Sequence, residues 1–264
     1  MWITLWISGE LCKKCIFLCI KLSKTPKKVI MFYTVTKKTI IVIIIIIICL
    51  ILPAAISVAV SDTTPRNKFV IVIDAGHGGI DDGVRGKTTG VSESELNLKM
   101  AKLLKEYFSD ADFRVVLTRE TSAGLYGIKM PGFKKRDMEC RKKIIEREKP
   151  DIVLSVHMNF YTSSVRRGLQ VFYHDKNESR RLANEIQNIV NFNVNLPVTG
   201  RNLISLYGDY FILKCTEAPS VIVECGFLSN PLDEELLISH SYRKELAYYI
   251  FTGVINYINC PIQS

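Results

Sequence analysis

Beyond residue 60 the sequence has few cysteines and no repeats, and each absence excludes a class of protein. Only four of its eight cysteines lie there, namely Cys140, Cys215, Cys225 and Cys260. Four scattered cysteines do not imply a disulfide framework. The absence of internal repeats, low-complexity stretches and a separate binding module leaves a single domain of about 200 residues.

An excess of charge is also absent after residue 60. The net charge of the chain is +9, but residues 1–60 contain eight lysines and one acidic residue and so supply +7 of it. The remaining 27 basic and 25 acidic residues nearly cancel. A nucleic-acid partner is therefore not predicted.

One long apolar run, residues 39–60, contains no charge over twenty-two residues. A run of this length can cross a membrane as a helix, and lysine-rich flanks stay in the cytoplasm. The lysines before it are Lys21, Lys24, Lys27, Lys28, Lys37 and Lys38. We predict a basic cytoplasmic leader at 1–38, a transmembrane signal anchor at 39–60, a linker at 61–67 and an extracytoplasmic domain at 68–260.

A secretory signal peptide that begins at Met31 is the alternative, and residues 1–30 would then not be translated. Ser57 and Ala59 provide small residues for cleavage, which would release a secreted protein. The apolar run exceeds the usual length of roughly 7 to 15 residues in a signal peptide, which favours an uncleaved anchor.

After the linker, β-branched runs alternate with helical patterns. The runs are 69–74, 114–118, 151–157, 168–173 and 219–224. The segments between them have apolar residues at i, i+3 and i+4 spacing. This alternation predicts one α/β domain, with a largely parallel central sheet and helices on both faces.

Two histidines follow predicted strands. His77 lies in the glycine-rich stretch IDAGHGGIDDG, and His157 lies in SVHMN. Ligand sites in open α/β sheets lie at the carboxyl ends of strands, so the two side chains are expected to share a site. The stretch lacks the lysine and hydroxyl residues of a phosphate-binding loop.

Two glutamates complete a candidate metal site. In SESE, residues 92–95, Ser92 fits an N-cap, so Glu93 starts a helix, and Glu95 is a substitute ligand. Glu224 ends the last strand, where burial would raise its pKa. Taken singly, each histidine or glutamate fits a structural role equally, as a backbone partner, a helix-stabilising residue or half of an ion pair.

Together, DAGHGG, the glutamate before the first helix, SVHMN and VECGFLSNP resemble the zinc N-acetylmuramoyl-L-alanine amidases of the amidase-3 type over residues 68–258. The resemblance implies that His77, Glu93 and His157 bind one zinc ion and that Glu224 is the catalytic carboxylate. It implies hydrolysis of the amide between N-acetylmuramic acid and L-alanine in peptidoglycan.

Residues 118–144 and the GLQVFY strand are similar to the CwlD-type germination-specific amidases of spore formers. This likeness implies a role in spore cortex maturation and muramic δ-lactam formation, and an activating lipoprotein partner. The sequence departs from the family pattern at Ser94, Glu95 and Cys225. None of these departures removes an implied ligand.

Further residues are candidates for supporting roles. Asp74 is predicted to contact a zinc-binding histidine, and Asn159 to orient substrate. Arg141 and Arg201 are predicted to meet carboxylates of the stem peptide. Two other functions stay open: a protein that binds peptidoglycan or a partner without cutting it, and a zinc peptidase of the stem peptide.

Overall fold

A computed structural model of the chain describes residues 3–5, 15–20, 31–36, 41–43, 45–46 and 68–260. The chain divides into two units, Met1–Arg66 and Asn67–Ser264. In the first unit, strands β1 (Ile3–Leu5), β2 (Cys15–Ile20) and β3 (Met31–Thr36) pair in that order as an antiparallel sheet.

Of the predicted membrane segment 39–60, the structure describes residues 41–43 and 45–46, which are helical. The rest of the segment and the linker 61–67 lie outside the described residues. Within the described ranges, no helix combines the length and the hydropathy that a membrane crossing needs.

The second unit is built on a six-stranded sheet. Its strands are β4 (Val70–Ala75), β5 (Arg114–Leu117), β6 (Ile152–Asn159), β7 (Gln170–Tyr173), β8 (Leu206–Tyr207) and β9 (Ser220–Phe227). In the order β5-β4-β6-β9-β7-β8, the first four are mutually parallel, whereas β7 runs antiparallel to β9 and parallel to β8. The prediction of a largely parallel sheet is confirmed.

Six α-helices belong to this unit. They are α1 (Glu93–Asp110), α2 (Phe133–Glu148), α3 (Asn177–Val190), α4 (Leu196–Thr199), α5 (Pro231–Ile238) and α6 (His240–Asn259). A π-helical turn, Asn191–Asn195, joins α3 to α4, and a 3₁₀ turn, Phe211–Lys214, precedes β9. Asn230 caps α5 through its side chain and Pro231 follows it, as the Asn-Pro pair predicts.

Successive residues of each strand face opposite sides of the sheet, so the two faces pack against different helices. On one face, Ile73, Leu154 and Val223 belong to a core that α1, α3 and α6 complete. On the other face, Val153 and Ile222 pack with residues of α2 and the 3₁₀ turn. The second face also carries the polar residues of β4, β6 and β9, and it is the face of the functional site.

A buried ion pair fastens α2 to this second face. Asp74 and Arg141 are 2% and 1% exposed, and Arg141 Nη1 donates to Asp74 Oδ1 at 2.6 Å. The hydroxyls of Thr118 and Ser155 also donate to Asp74, each at 2.7 Å. Burial disfavours the charged carboxylate, but the Arg141 charge and these hydrogen bonds outweigh it and lower the pKa of Asp74 to about 2.

We predict that Asp74→Asn destabilises the protein by about 3 kcal/mol at pH 7, because it removes one of the two carboxylates that compensate the buried Arg141 charge. Urea denaturation measures the change. Asp112→Asn, which removes the exposed pair with Lys68, is the control and is expected to cost less than about 1 kcal/mol. Equal losses in the two variants would contradict the role of the buried pair.

The same pair predicts a pH dependence. The pKa of Asp74 is lower in the folded protein than in the unfolded chain, so its contribution to stability is complete above about pH 4. That contribution is lost as the pH falls from about 4 towards 2. The stability difference between the wild type and Asp74→Asn should therefore narrow over this range.

Candidate metal centre

His77 sits in the loop after β4, in a left-handed backbone conformation with φ of +61°. Two buried arginines hold the carbonyls around it. Arg119 donates to the carbonyls of Ala75 and Gly76, each at 2.9 Å, and Arg141 donates to those of Ala75 and His77 at 2.7 and 2.6 Å. These bonds fix a conformation that is unfavourable for a residue with a side chain.

The imidazole of His77 is oriented by two carboxylates. Its Nδ1 lies 3.0 Å from Asp81 Oδ2, and its Nε2 lies 3.3 Å from Glu93 Oε1. Asp81 is itself 3.1 Å from the ammonium of Lys134, near the start of α2. A carboxylate on Nδ1 keeps the proton there and leaves Nε2 for a metal ion.

Glu93 is the first residue of α1, as the sequence predicts, and the hydroxyl of Ser92 caps the helix by accepting from the backbone N–H of Glu95. The Glu93 side chain is buried at 3% exposure, and its Oε2 accepts from the backbone N–H of Val84 at 2.9 Å. Glu95 is exposed and pairs with Lys99, so it is not a substitute ligand.

His157 projects from β6 towards the same point. Its Nδ1 lies 2.9 Å from Glu93 Oε1, and its ring centroid is 5.1 Å from that of His77. One ligand atom each from His77, Glu93 and His157 lies within 4.8 Å of the others. The structure thus brings together the three residues that the sequence predicts as metal ligands.

The electrostatics of this cluster suit a cation. Burial favours the neutral form of both Glu93 and His77, but the hydrogen bonds and charges between them prevail. The histidines lower the pKa of Glu93 far below its usual range, while Glu93 and Asp81 raise the pKa of His77 to about 9. Two imidazole nitrogens and one carboxylate match the donors of catalytic zinc sites that keep a fourth position open.

Two glycines make room for the ligands. A Cβ on Gly76 would lie 2.2 Å from Cε1 of His157, and a Cβ on Gly83 would lie 2.3 Å from Oε2 of Glu93. No side chain fits at such distances unless the ligand moves. Close approach to the ligands therefore requires a glycine at both positions, and at Gly83 the φ of +70° favours glycine as well.

Glu224 lies on β9 directly beside His157, its partner in the parallel strand pair. Its Oε2 atom is buried and has no hydrogen-bond partner among the described residues. Burial raises the pKa of Glu224 to about 7. With both histidines and Tyr210, it lines a cavity of about 390 Å³.

One supporting prediction is wrong. Asp74 contacts neither histidine ring, because its oxygens accept from Thr118, Ser155 and Arg141. Arg141 lines the cavity, but it already donates four hydrogen bonds, to Asp74, Asp137 and the carbonyls of Ala75 and His77. Its contact with a carboxylate of the stem peptide stays a prediction.

Asp81 takes the role predicted for Asp74, because it orients His77, and Arg119 holds the loop together with Arg141. Asp81 lies in the IDAGHGGIDDG stretch, four residues after His77. This short separation in sequence is the signal that could have identified it as the partner of His77. Arg119 carries no comparable signal, since an arginine just after a strand is an ordinary surface residue in most sequences.

Two other predicted substrate residues lie outside the cavity. Asn159 accepts from the backbone N–H of Phe160 at 2.8 Å, and Arg201 donates to the carbonyl of Val165 at 3.1 Å. Their contact with substrate stays a prediction. The remaining histidines, His174 beside Asp209 and His240 at the start of α6, are not among the residues that line the cavity.

An α/β sheet that presents two histidines and a glutamate to one point, with a second glutamate beside them, has the site of a metal-dependent hydrolase. The chain belongs to the N-acetylmuramoyl-L-alanine amidase family (Amidase_3), whose model matches residues 71–256. The amide between N-acetylmuramic acid and L-alanine is accordingly the bond that it hydrolyses.

Similar proteins fall in the same family. The germination-specific N-acetylmuramoyl-L-alanine amidase of Bacillus subtilis is 30% identical over 197 residues, which are 73% of this chain and 81% of the relative. The CwlD amidase of Clostridioides difficile, solved in complex with the GerS lipoprotein, has a TM-score of 0.68 at 33% identity and covers 73% of this chain and 99% of its own. An N-acetylmuramoyl-L-alanine amidase of Clostridium difficile 630 has a TM-score of 0.63 at 27% identity, covering 73% of this chain and 98% of its own.

We predict that Gly83→Ala weakens metal binding at least about tenfold, because the new methyl group displaces the carboxylate of Glu93. Competition with a chromogenic zinc chelator measures the affinity. Gly90→Ala is a matched control, since Gly90 has nearly the same φ, +73° against +70°, but no atom within 4 Å of the added carbon. A similar loss of zinc in both variants would attribute the effect to backbone strain.

Proposed function

We propose that this amidase is a zinc enzyme of spore cortex peptidoglycan, in which His77, Glu93 and His157 hold the metal and Glu224 carries protons. The observation that supports the proposal is the unpartnered, buried carboxylate oxygen of Glu224 in the cavity that both histidines line. Burial of a carboxylate without a partner lowers the stability of the fold. Ionisable groups in such an environment cluster at functional sites.

The proton transfers follow from the position and pKa of Glu224. When bound, zinc supplies a Lewis acid that polarises the carbonyl and acidifies water. Glu224 takes the proton of the attacking water as the water oxygen bonds to the lactyl carbonyl carbon. It then returns a proton to the L-alanine nitrogen as the C–N bond breaks. A pKa raised to about 7 suits both transfers near neutral pH.

Two similarities support the role in the spore cortex. One relative is described as germination-specific, and the C. difficile relative was solved in complex with a lipoprotein. The proposed role is removal of stem peptides from N-acetylmuramic acid, which prepares the muramic δ-lactam. An activating lipoprotein is the proposed partner.

The proposed location is the outer face of the cytoplasmic membrane, with residues 39–60 as the anchor. The support is the uncharged run and the lysines before it. Fractionation provides a test. The full chain should stay with membranes in alkaline carbonate and a chain without residues 39–60 should be released, whereas cleavage after Ala59 would yield a secreted form.

The reaction is tested with the purified chain and muropeptides, with and without zinc, by identifying the new termini with mass spectrometry. Free peptides that begin with L-alanine, formed only with zinc, would support the proposal. Cuts within the stem peptide would establish a peptidase instead. If no product forms, adding an extract of sporulating cells separates an enzyme that needs a partner from a protein that only binds.

We predict that Glu224→Gln keeps zinc but lowers kcat by about 100-fold to 10,000-fold, because the amide cannot carry the proton. Zinc content and turnover of muropeptides are measured on the same preparation. Glu235→Gln, on the exposed side of α5, is the matched control and should keep full activity. Retained turnover in Glu224→Gln would reassign the proton-carrying group.

A further inference from the structure

A second, smaller cavity of about 90 Å³ lies beside the catalytic strand, and three arginines line it. Its walls are Arg166, Arg167, Gln170, Arg201, Leu203 and Phe227. The arginines come from two separate segments, the loop between β6 and β7 and the turn after α4. Neither the metal site nor the proton transfers use this cavity.

Strand pairing places the cavity next to the catalytic carboxylate. Gln170 of β7 lies directly opposite Glu224 of β9 in the antiparallel pair, so their side chains share one face of the sheet. Side chains opposed in this way have Cβ atoms about 5 Å apart. Phe227, three residues beyond Glu224 on the same strand, lines the cavity as well.

Two of the three guanidinium groups carry uncompensated charge. Arg167 pairs with Asp233 at 2.9 Å, but no carboxylate within the described ranges forms an ion pair with Arg166 or Arg201. By contrast, Arg114, Arg141 and Arg181 each pair with an acidic side chain. The cavity therefore has a net positive charge and no acidic side chain in its walls.

Each of these two exposed arginines has one further contact. Arg166 lies over the ring of Tyr161, 4.3 Å from its centroid, and Arg201 Nη2 donates to the carbonyl of Val165 at 3.1 Å. The contact with Val165 brings Arg201 next to the loop that carries Arg166. The planar guanidinium group of arginine is preorganised, so it loses less conformational freedom per hydrogen bond to an anion than lysine does.

The walls of the cavity suit a small anion. Its volume of about 90 Å³ is about a quarter of the 390 Å³ of the cavity that Glu224 lines. Guanidinium groups match carboxylates in geometry and charge. Leu203 and Phe227 add an apolar side that suits the adjoining carbon atoms.

We infer that this cavity, hereafter the arginine pocket, binds the free α-carboxylate of the second residue of the stem peptide. The inference rests on the proposed function, because it assumes that the scissile amide lies at Glu224. One residue spans about 3.5 Å, so the second residue lies about 7 Å from the scissile carbonyl. Gln170 connects the two places, because it lies opposite Glu224 in the strand pair and also lines the arginine pocket.

The test compares two muramyl dipeptides that differ in one group. In the first dipeptide the α-carboxyl group of the second residue is a free carboxylate, and in the second dipeptide it is an amide. The side-chain carboxyl group of that residue is amidated in both. The wild-type chain should cleave the free acid with a KM about tenfold lower than that of the amide and an equal kcat, as expected for uniform binding through a charged hydrogen bond. Raising the salt concentration should reduce this preference.

Variants of the arginine pocket should remove the preference selectively. Arg201→Met and Arg166→Met are each expected to raise KM for the free acid more than KM for the amide, so that the two values converge. Arg180→Met, on the exposed surface of α3, removes the same charge elsewhere and should keep the preference. Equal KM values for the two dipeptides in the wild type, or equal losses on both in the variants, would overturn the inference.

A binding measurement keeps this test independent of turnover. Calorimetry with the zinc-loaded Glu224→Gln variant should show about tenfold tighter binding of the free acid than of the amide, and Arg201→Met in that background should abolish the difference. Selective binding without cleavage by the wild type, even after an extract of sporulating cells is added, would retain the arginine pocket and refute the proposed hydrolysis. Cleavage of both dipeptides without selective binding would do the reverse.

Discussion

The metal site depends on how the backbone carbonyls of residues 75–77 are satisfied. The chain leaves β4 there and enters a left-handed turn at His77, so these carbonyls point away from the sheet ladder and need other donors. The guanidinium groups of Arg119 and Arg141 provide them. Because Asp74 and Asp137 compensate Arg141, two carboxylates that never approach the metal help to determine where His77 lies.

Much of the fold and of the ligand set could be predicted from sequence, because each carries a local pattern. Buried parallel strands appear as β-branched runs, and ligands at strand ends follow them directly. Strand β8 could not be predicted, because a strand of two residues is too short to show an alternation of apolar and polar residues. Asp74 was assigned the wrong partner, because sequence spacing cannot show that α2 folds back over β4 and places Arg141 against it.

The two faces of the sheet have different roles, because one forms the main hydrophobic core and the other forms the functional site. One face is apolar throughout β4, β6 and β9 and packs against three helices. The other replaces apolar residues with Asp74, Ser155, His157 and Glu224, all of which point towards α2 or the cavity. Burying the polar residues of the second face lowers the stability of the domain. The continuous apolar core on the first face offsets that cost.

The pairing of β6 with β9 has a consequence for how such a protein can diversify. His157 and Glu224 are neighbours in a backbone hydrogen-bond ladder, so the spacing between the imidazole and the carboxylate is inherited from the sheet. The loop that leaves β6 can therefore change its length and charge while this spacing stays constant. The reaction and its selectivity are, in this architecture, separately adjustable parts of one chain.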